Sequence, residues 1–186
     1  DFQKLLEWLN NTPGDGIILD MGCGVGESSF HLAHEFKNDL VVGIDKSLSR
    51  LERNNKFKQT LPSNLFLMRG ELLDLWFLFS TAQKKINKPI KKQFILYPNP
   101  WPKKKHVKRR WHGNPVFPFL LQLNCEVELR TNWKIYADEF SFACEYFGYE
   151  KKWEEKFIPL NCISPFEKKF FDSKQLLFKT IVIPRK

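Results

Sequence analysis

Residues 17–36 read IILDMGCGVGESSFHLAHEF, and this stretch decides the fold. Ile17 to Met21 is an apolar run broken only by Asp20, the length of a short buried strand. It runs straight into Gly22-Cys23-Gly24-Val25-Gly26. Glycines at alternate positions let the backbone turn sharply and approach a ligand with no Cβ in the way. A helix is expected from about Glu27 to Phe36, with Phe30, Ala33 and Phe36 on its inner face. Strand, glycine turn and helix form the opening unit of a parallel α/β sheet.

Working outward, Phe2, Leu5, Leu6 and Leu9 have helical spacing over residues 2–9, and Asn10 to Gly16 punctuate a loop. Downstream, Leu40 to Ile44 is a second strand ending at Asp45. A helix follows from about Leu48 to Phe57 behind a Ser47 cap. Leu65 to Met68 is a third strand with Glu71 just past it. Residues 72–82 are expected to be helical, and Lys84 to Lys92 form a polar basic connector. Phe94 to Tyr97 is a fourth strand, Val116 to Asn124 an apolar helix or turn, and Glu126 to Arg130 a fifth strand closed by Thr131-Asn132. Tyr136, Phe140, Ala143 and Phe147 mark one helix face. The tail gives a strand near Lys151 to Lys156, a loop around Ser164 to Glu167, and a last strand from about Leu176 to Ile183. The alternation predicts a three-layer α/β domain with a mostly parallel sheet, which binds ligands beyond the carboxyl ends of its strands. Asp20 to Gly26, Asp45, Glu71, Asn99 and Asn132 all fall at such ends.

The chain has 186 residues, 42% of them hydrophobic, with 18 Phe and 6 Trp, and contains no internal repeat or linker, so one domain over residues 1–186 is expected. A net charge of +9 favours an anionic partner, nucleic acid ahead of a membrane surface. Cys23, Cys125, Cys144 and Cys162 are widely spaced and form no CxxC pair, which reads as reduced thiols in a cytoplasmic protein with no metal site. No apolar run is long enough to span a bilayer.

Residues 94–112 read FILYPNPWPKKKHVKRRWH. The apolar run breaks at Pro98-Asn99-Pro100, where two prolines forbid continued pairing. Trp101 and six cations follow: Lys103, Lys104, Lys105, Lys108, Arg109 and Arg110. A buried strand ending in a rigid polar turn, an aromatic and a basic cluster suits holding a base and gripping phosphates; the plainer reading is a solvated basic loop over a core tryptophan. His106 and His112 read as part of the basic surface, since no metal-type spacing joins them.

The glycine turn also discriminates between cofactors. A dinucleotide fingerprint needs G-x-G-x-x-G, and Glu27 stands where its third glycine would be. An acid there repels a pyrophosphate at the helix N-terminus. S-adenosylmethionine carries an ammonium and a sulfonium and no phosphate, so acids suit it. Asp45 is placed to accept from ribose hydroxyls, and Glu71 from an adenine amino group. An NAD-dependent oxidoreductase is disfavoured on the same grounds.

With these segments in order, the chain resembles the bacterial tRNA (guanine-N7-)-methyltransferase family. ILDMGCGVGESSFHLA and VVGIDKS look like its first two S-adenosylmethionine motifs, and NLFLMRGEL like the segment carrying the adenine-side acid. YPNPWPKKKHVKRR is similar to its P-D-P-W-P-K-K-R-H signature, LRTNWKIYA to T-D-x-x-x-Y-A, and SPFEKK to T-x-F-E. The resemblance implies a Rossmann-like methyltransferase fold with an antiparallel C-terminal strand, acting as a monomer or homodimer without a membrane partner. It implies methyl transfer from S-adenosylmethionine to N7 of a guanine in the tRNA variable loop, at position 46. Asp20, Gly22, Gly24, Asp45 and Glu71 become cofactor contacts, Asn99 the active-site position, and Lys103, Asn132, Ser164 and Glu167 substrate-side positions. Asn99 and Asn132 stand where the family's motifs carry Asp, and the family's basic N-terminal extension is absent from this sequence. The departures keep two alternatives open: a non-catalytic tRNA-binding module, and an RNA methyltransferase with another target atom, since Asn-Pro-Trp partly resembles the Asn-Pro-Pro-aromatic motif of amine methylases.

Overall fold

The structure, a computed structural model, describes residues 1–53 and 61–185. Its helices are α1 (Phe2–Asn11), α2 (Glu27–Glu35), α3 (Leu48–Glu52), α4 (Leu72–Ala82), α5 (Phe117–Gln122), α6 (Lys134–Tyr146) and α7 (Pro165–Asp172). Its strands are β1 (Ile17–Met21), β2 (Leu40–Asp45), β3 (Leu65–Arg69), β4 (Ile90–Leu96), β5 (Glu126–Thr131), β6 (Tyr149–Phe157) and β7 (Leu177–Pro184). Among the described residues the strands form one sheet in the order β3-β2-β1-β4-β5-β7-β6. The first five are parallel, and β7 runs antiparallel to both β5 and β6. This is a Rossmann-like α/β fold, with its topological switch point between β1 and β4, where a mostly parallel sheet opens a crevice.

The two faces of the sheet are buried unequally. On one, Leu5, Leu9, Trp76, Phe79, Phe117, Leu120, Tyr136 and Phe140 from α1, α4, α5 and α6 pack on Leu19, Val42, Ile95 and Leu129. On the other, Leu32 and Ala33 of α2 cover Ile18, Val41, Leu65 and Phe94. β1 is buried on both sides, which is why it reads as a continuous apolar run rather than an alternating one. Gln93 is fully buried in the larger core; it accepts from Trp76 Nε1 at 3.0 Å and donates to the Leu120 carbonyl at 2.9 Å.

The structure corrects several expectations. Residues 164–167 are not a loop: Ser164 caps α7, its Oγ accepting from the Glu167 N–H at 3.2 Å, with Pro165 in the first helical turn. A proline there costs nothing, because that N–H has no intrahelical partner. The basic connector ends earlier than expected, and β4 already contains Lys91 and Lys92. Both find acids distant in sequence: Lys91 pairs with Asp39 at 2.5 Å, and Lys92 with Glu128 at 2.6 Å and Glu126 at 2.9 Å. Ser47 precedes α3 but makes no capping bond; its N–H donates to Asp45 Oδ1 at 2.8 Å instead. Residues 54–57 of the helix expected there lie outside the described residues. Phe147 falls just past α6 and is half exposed, packed edge-on to Phe117, the core ring that Phe140 also meets.

Two members of the basic stretch are not on its surface. Arg110 is buried, pairs with Glu139 and donates to the Trp101 carbonyl at 3.2 Å. The His112 side chain is 6% exposed, packs against Tyr136 and lies 3.0 Å from Glu139. Burial lowers its imidazole pKa, with the Glu139 carboxylate opposing.

Candidate active site

The glycine turn leaves β1 and folds back on β2: the N–H groups of Gly22 and Cys23 both donate to the Ile44 carbonyl, at 2.8 and 2.9 Å. Gly24 has φ +61°, in the left-handed region, and a Cβ there would meet nothing within 4 Å. Glycine is therefore required by the backbone rather than by packing, and the space above the turn is open. Asp45 locks this geometry from β2. Its Oδ2 accepts from the Gly24 N–H at 3.0 Å, and Arg50 lies 3.6 Å from the same oxygen. Oδ1 takes the Ser47 N–H, so each carboxylate oxygen keeps one further acceptor site.

Asp20 lies fully buried beneath the turn. Its Oδ2 accepts from Ser28 Oγ at 2.5 Å and Ser29 Oγ at 2.6 Å, while Oδ1 has no hydrogen-bond partner. Burial raises its pKa to about 6, against the two serine bonds and with help from Asp45. The site thus presents an under-satisfied acid, a second acid and an open glycine turn. Such a set fits the ammonium and ribose of S-adenosylmethionine, and its acids repel a phosphate. Glu71, at the N-cap of α4, is exposed and makes no capping bond.

A pH dependence follows. In the cofactor-contact role that the resemblance gives Asp20, an ammonium beside it would favour the ionised form and lower its pKa in the complex. Affinity for S-adenosylmethionine is expected to fall as pH drops below about 6, approaching tenfold per unit. In Asp20→Asn the slope disappears, which calorimetric titration across this range checks. For folding, the sign is the opposite. The raised value makes the neutral carboxyl the better tenant, so this contribution is present below the ordinary 3.8 and lost as pH rises through about 6.

The other half of the site is built at the ends of β4 and β5. Pro98-Asn99-Pro100 is bracketed by two residues in the left-handed region, Tyr97 at φ 50° and Trp101 at φ 45°. Such conformations cost free energy and persist only where the surroundings enforce them. The enforcement is visible on both sides. Tyr97 Oη donates to Glu167 Oε2 at 2.9 Å, and its ring packs on Phe170 of α7. At Trp101, Arg110 holds the carbonyl, the Arg109 guanidinium lies over the ring at 4.6 Å, and His106 meets it edge-on. Between these anchors Asn99 is exposed, its Oδ1 accepting from the Trp101 N–H at 3.3 Å. Trp101 is therefore a partly exposed ring held by its own loop rather than a core plug.

The remaining predicted residues divide. Lys103 is exposed at the start of the basic turn 104–109. Asn132 Nδ2 donates to Gln175 Oε1 at 2.7 Å, joining the end of β5 to the start of β7. Ser164 and Glu167 are buried. Both Glu167 oxygens accept from Arg130 Nη1 at 3.1 Å, and Oε1 also takes the Ile163 N–H. Bonds join Asp45 to the glycine turn and Glu167 to Tyr97; the Asn99 side chain bonds only within its own turn. The sequence reading missed the supporting residues. Ser28 and Ser29 sit on the buried face of α2, where small polar residues beside an acid are the signal, and Gly43 clears room for them, since a Cβ there would meet Ser29 Oγ at 2.2 Å. Tyr97 and Arg130 carry no local signal.

The fold and the glycine turn define a class, the Rossmann-like methyltransferases. Among solved structures, "Structure of an Antibiotic Related Methyltransferase" superposes with a TM-score of 0.69 at 16% identity, covering 100% of this chain and 94% of that one. "Crystal Structure of 16S rRNA Methyltranferase KamB" does so with 0.67 at 15%, covering 99% and 93%. The sequence profile of the family described as "Putative methyltransferase" matches residues 15–180, and the chain belongs to that family. Among curated relatives, a "tRNA (guanine-N(7)-)-methyltransferase" of Mycoplasma genitalium is 28% identical over 177 residues, covering 77% of this chain and 80% of the relative. One of the same name from Neorickettsia sennetsu is 30% identical over 152 residues, covering 78% and 65%.

Proposed function

We propose that the protein transfers a methyl group from S-adenosylmethionine to N7 of a guanine in tRNA. The observation that carries this reading is the pairing of an acid-lined glycine turn with a doubly anchored Pro-Asn-Pro-Trp turn on one edge of the sheet. The curated relatives named for this activity support it. When bound, S-adenosylmethionine supplies a methyl group made electrophilic by the sulfonium. Asp20, Gly22, Gly24, Asp45 and Glu71 hold and orient the donor. Guanine N7 has a free lone pair, so no residue need act as a base; the protein contributes position and charge. Asn99 presents one acceptor and one donor group to the guanine edge. Lys103, Lys104, Lys105, Lys108 and Arg109, all exposed, grip the RNA backbone, with Asn132 on the same side. Ser164 and Glu167 act from beneath, by fixing α7 and Tyr97.

Incubation with unmodified tRNA and methyl-labelled S-adenosylmethionine tests the reading: enzyme-dependent label in the RNA supports it, and tight tRNA binding with no label leaves the non-catalytic module. The basic stretch makes a second prediction. Charge reversal at Lys104 and Lys105 is expected to weaken tRNA binding and to flatten the plot of log affinity against log salt by about one unit per lost contact. An unchanged slope makes the cluster a solvated face.

A further inference from the structure

A cleft of about 420 Å³ opens between the end of β6 and the C-terminal end of α7. Its walls are largely apolar, from Phe157, Ile158, Phe171 and Leu176, with Lys156 and Lys174 at the rim. Ile158 is 77% exposed and Leu176 51%, so large apolar side chains face solvent here with nothing over them. The cleft is continuous with the site. Gln175, which lines it, takes the Asn132 hydrogen bond, and Phe170 of α7, the helix that ends just before it, touches Tyr97, two residues before Asn99. β7 begins beside the end of β5, Phe178 opposite Thr131, so the cleft lies on the edge where the parallel strands end.

One backbone feature singles it out. Lys174 closes α7 at φ 55°, a left-handed position where helices ordinarily place glycine. Its N–H donates to the Phe171 carbonyl and that of Gln175 to the Phe170 carbonyl, which fixes this conformation at the helix end. A lysine held in a glycine conformation costs stability, and the cost is understandable if its side chain is needed where it stands.

We propose that this cleft seats an unpaired nucleobase of the RNA substrate, a neighbour of the target guanine, with Lys156 and Lys174 on the flanking phosphates. The inference rests on the tRNA reading above and extends it to a second subsite. An aromatic and aliphatic slot with cations at its mouth matches the way unstacked bases are held. An acid also lines the cleft, Asp172, and Lys168 engages it at 3.1 Å.

Two variants test this, with an unmodified tRNA transcript as the probe. Phe171→Ala removes the slot wall, and Lys174→Gly removes the rim cation while relieving the strained backbone. Both are expected to weaken tRNA binding about tenfold with S-adenosylmethionine affinity unchanged. Lys174→Gly alone is expected to lower the salt slope by about one unit and to raise the melting temperature, an outcome a purely structural lysine does not give together with lost binding. Wild-type protein that binds and methylates tRNA, with both variants binding it equally well, overturns the subsite and leaves the activity standing. Wild-type protein that binds no tRNA overturns both.

Discussion

Glu167→Ala is expected to lower the melting temperature by roughly 10 °C. Glu167 is fully buried, and three separate segments depend on it: Tyr97 Oη, Arg130 Nη1 and the Ile163 N–H all donate to its carboxylate. Truncation leaves a tyrosine hydroxyl and an amide without partners, and Arg130 with Glu128 as its remaining acid at 2.7 Å. Breaking a buried ion pair costs about 3–5 kcal/mol when the other charge is left unpaired; because Glu128 still holds Arg130, the loss falls at the lower end of that range. A chain of this length loses about 2–4 °C per kcal/mol. Tyr97→Phe, which removes one hydrogen bond and keeps the ion pair, is expected to cost only about 1 kcal/mol. The contrast is informative for function, because Tyr97 also holds the strained start of the Pro-Asn-Pro turn. Tyr97→Phe should therefore lower turnover more than its small stability loss explains. Differential scanning calorimetry on both variants, alongside tRNA methylation, checks this; equal melting temperatures for wild type and Glu167→Ala would remove the network from the account.

Asn99→Asp is expected to raise single-turnover methylation ten- to a hundredfold. An amide offers the guanine edge one acceptor and opposes one guanine donor with its own N–H₂, whereas a carboxylate accepts from both N1–H and the exocyclic amine. A hydrogen bond to a charged group carries about 1.5–3 kcal/mol, and the carboxylate also balances the cationic product. The turn is built to accept the change. Among the described residues the Asn99 side chain bonds to the Trp101 N–H, through an oxygen that aspartate retains. The nearby cations, with Arg109 over the Trp101 ring, favour the added negative charge. Single-turnover rates measured at saturating tRNA separate chemistry from binding; no gain with binding intact would refute the role given to Asn99.

What the sequence disclosed follows from where the causes lie. The glycine turn was legible because left-handed backbone at Gly22, Gly24 and Gly26 demands glycine locally, and the sheet because β1 and β2 are buried on both faces and so read as apolar runs. Boundaries failed where distant residues compensate a local signal. Lys91 and Lys92 look like loop residues until Asp39, Glu126 and Glu128 are folded beside them. His112 looked like part of a basic surface, yet Tyr136 and Phe140, more than twenty residues on, enclose it. α7 was missed for a different reason. Ser164 and Glu167 carry a helix-start pattern with Pro165 in its permitted place, a pattern that the loop expected there leaves out. The resemblance sets Glu167 on the substrate side; in the structure its carboxylate accepts from Arg130 and Tyr97.

The most direct measurement is the identity of the product nucleoside. Bulk unmodified tRNA methylated by the protein, digested to nucleosides and resolved by mass spectrometry, is predicted to yield 7-methylguanosine as the labelled species. Label on an exocyclic amine or on adenine would contradict the role given to the Pro-Asn-Pro turn, and with it the central claim.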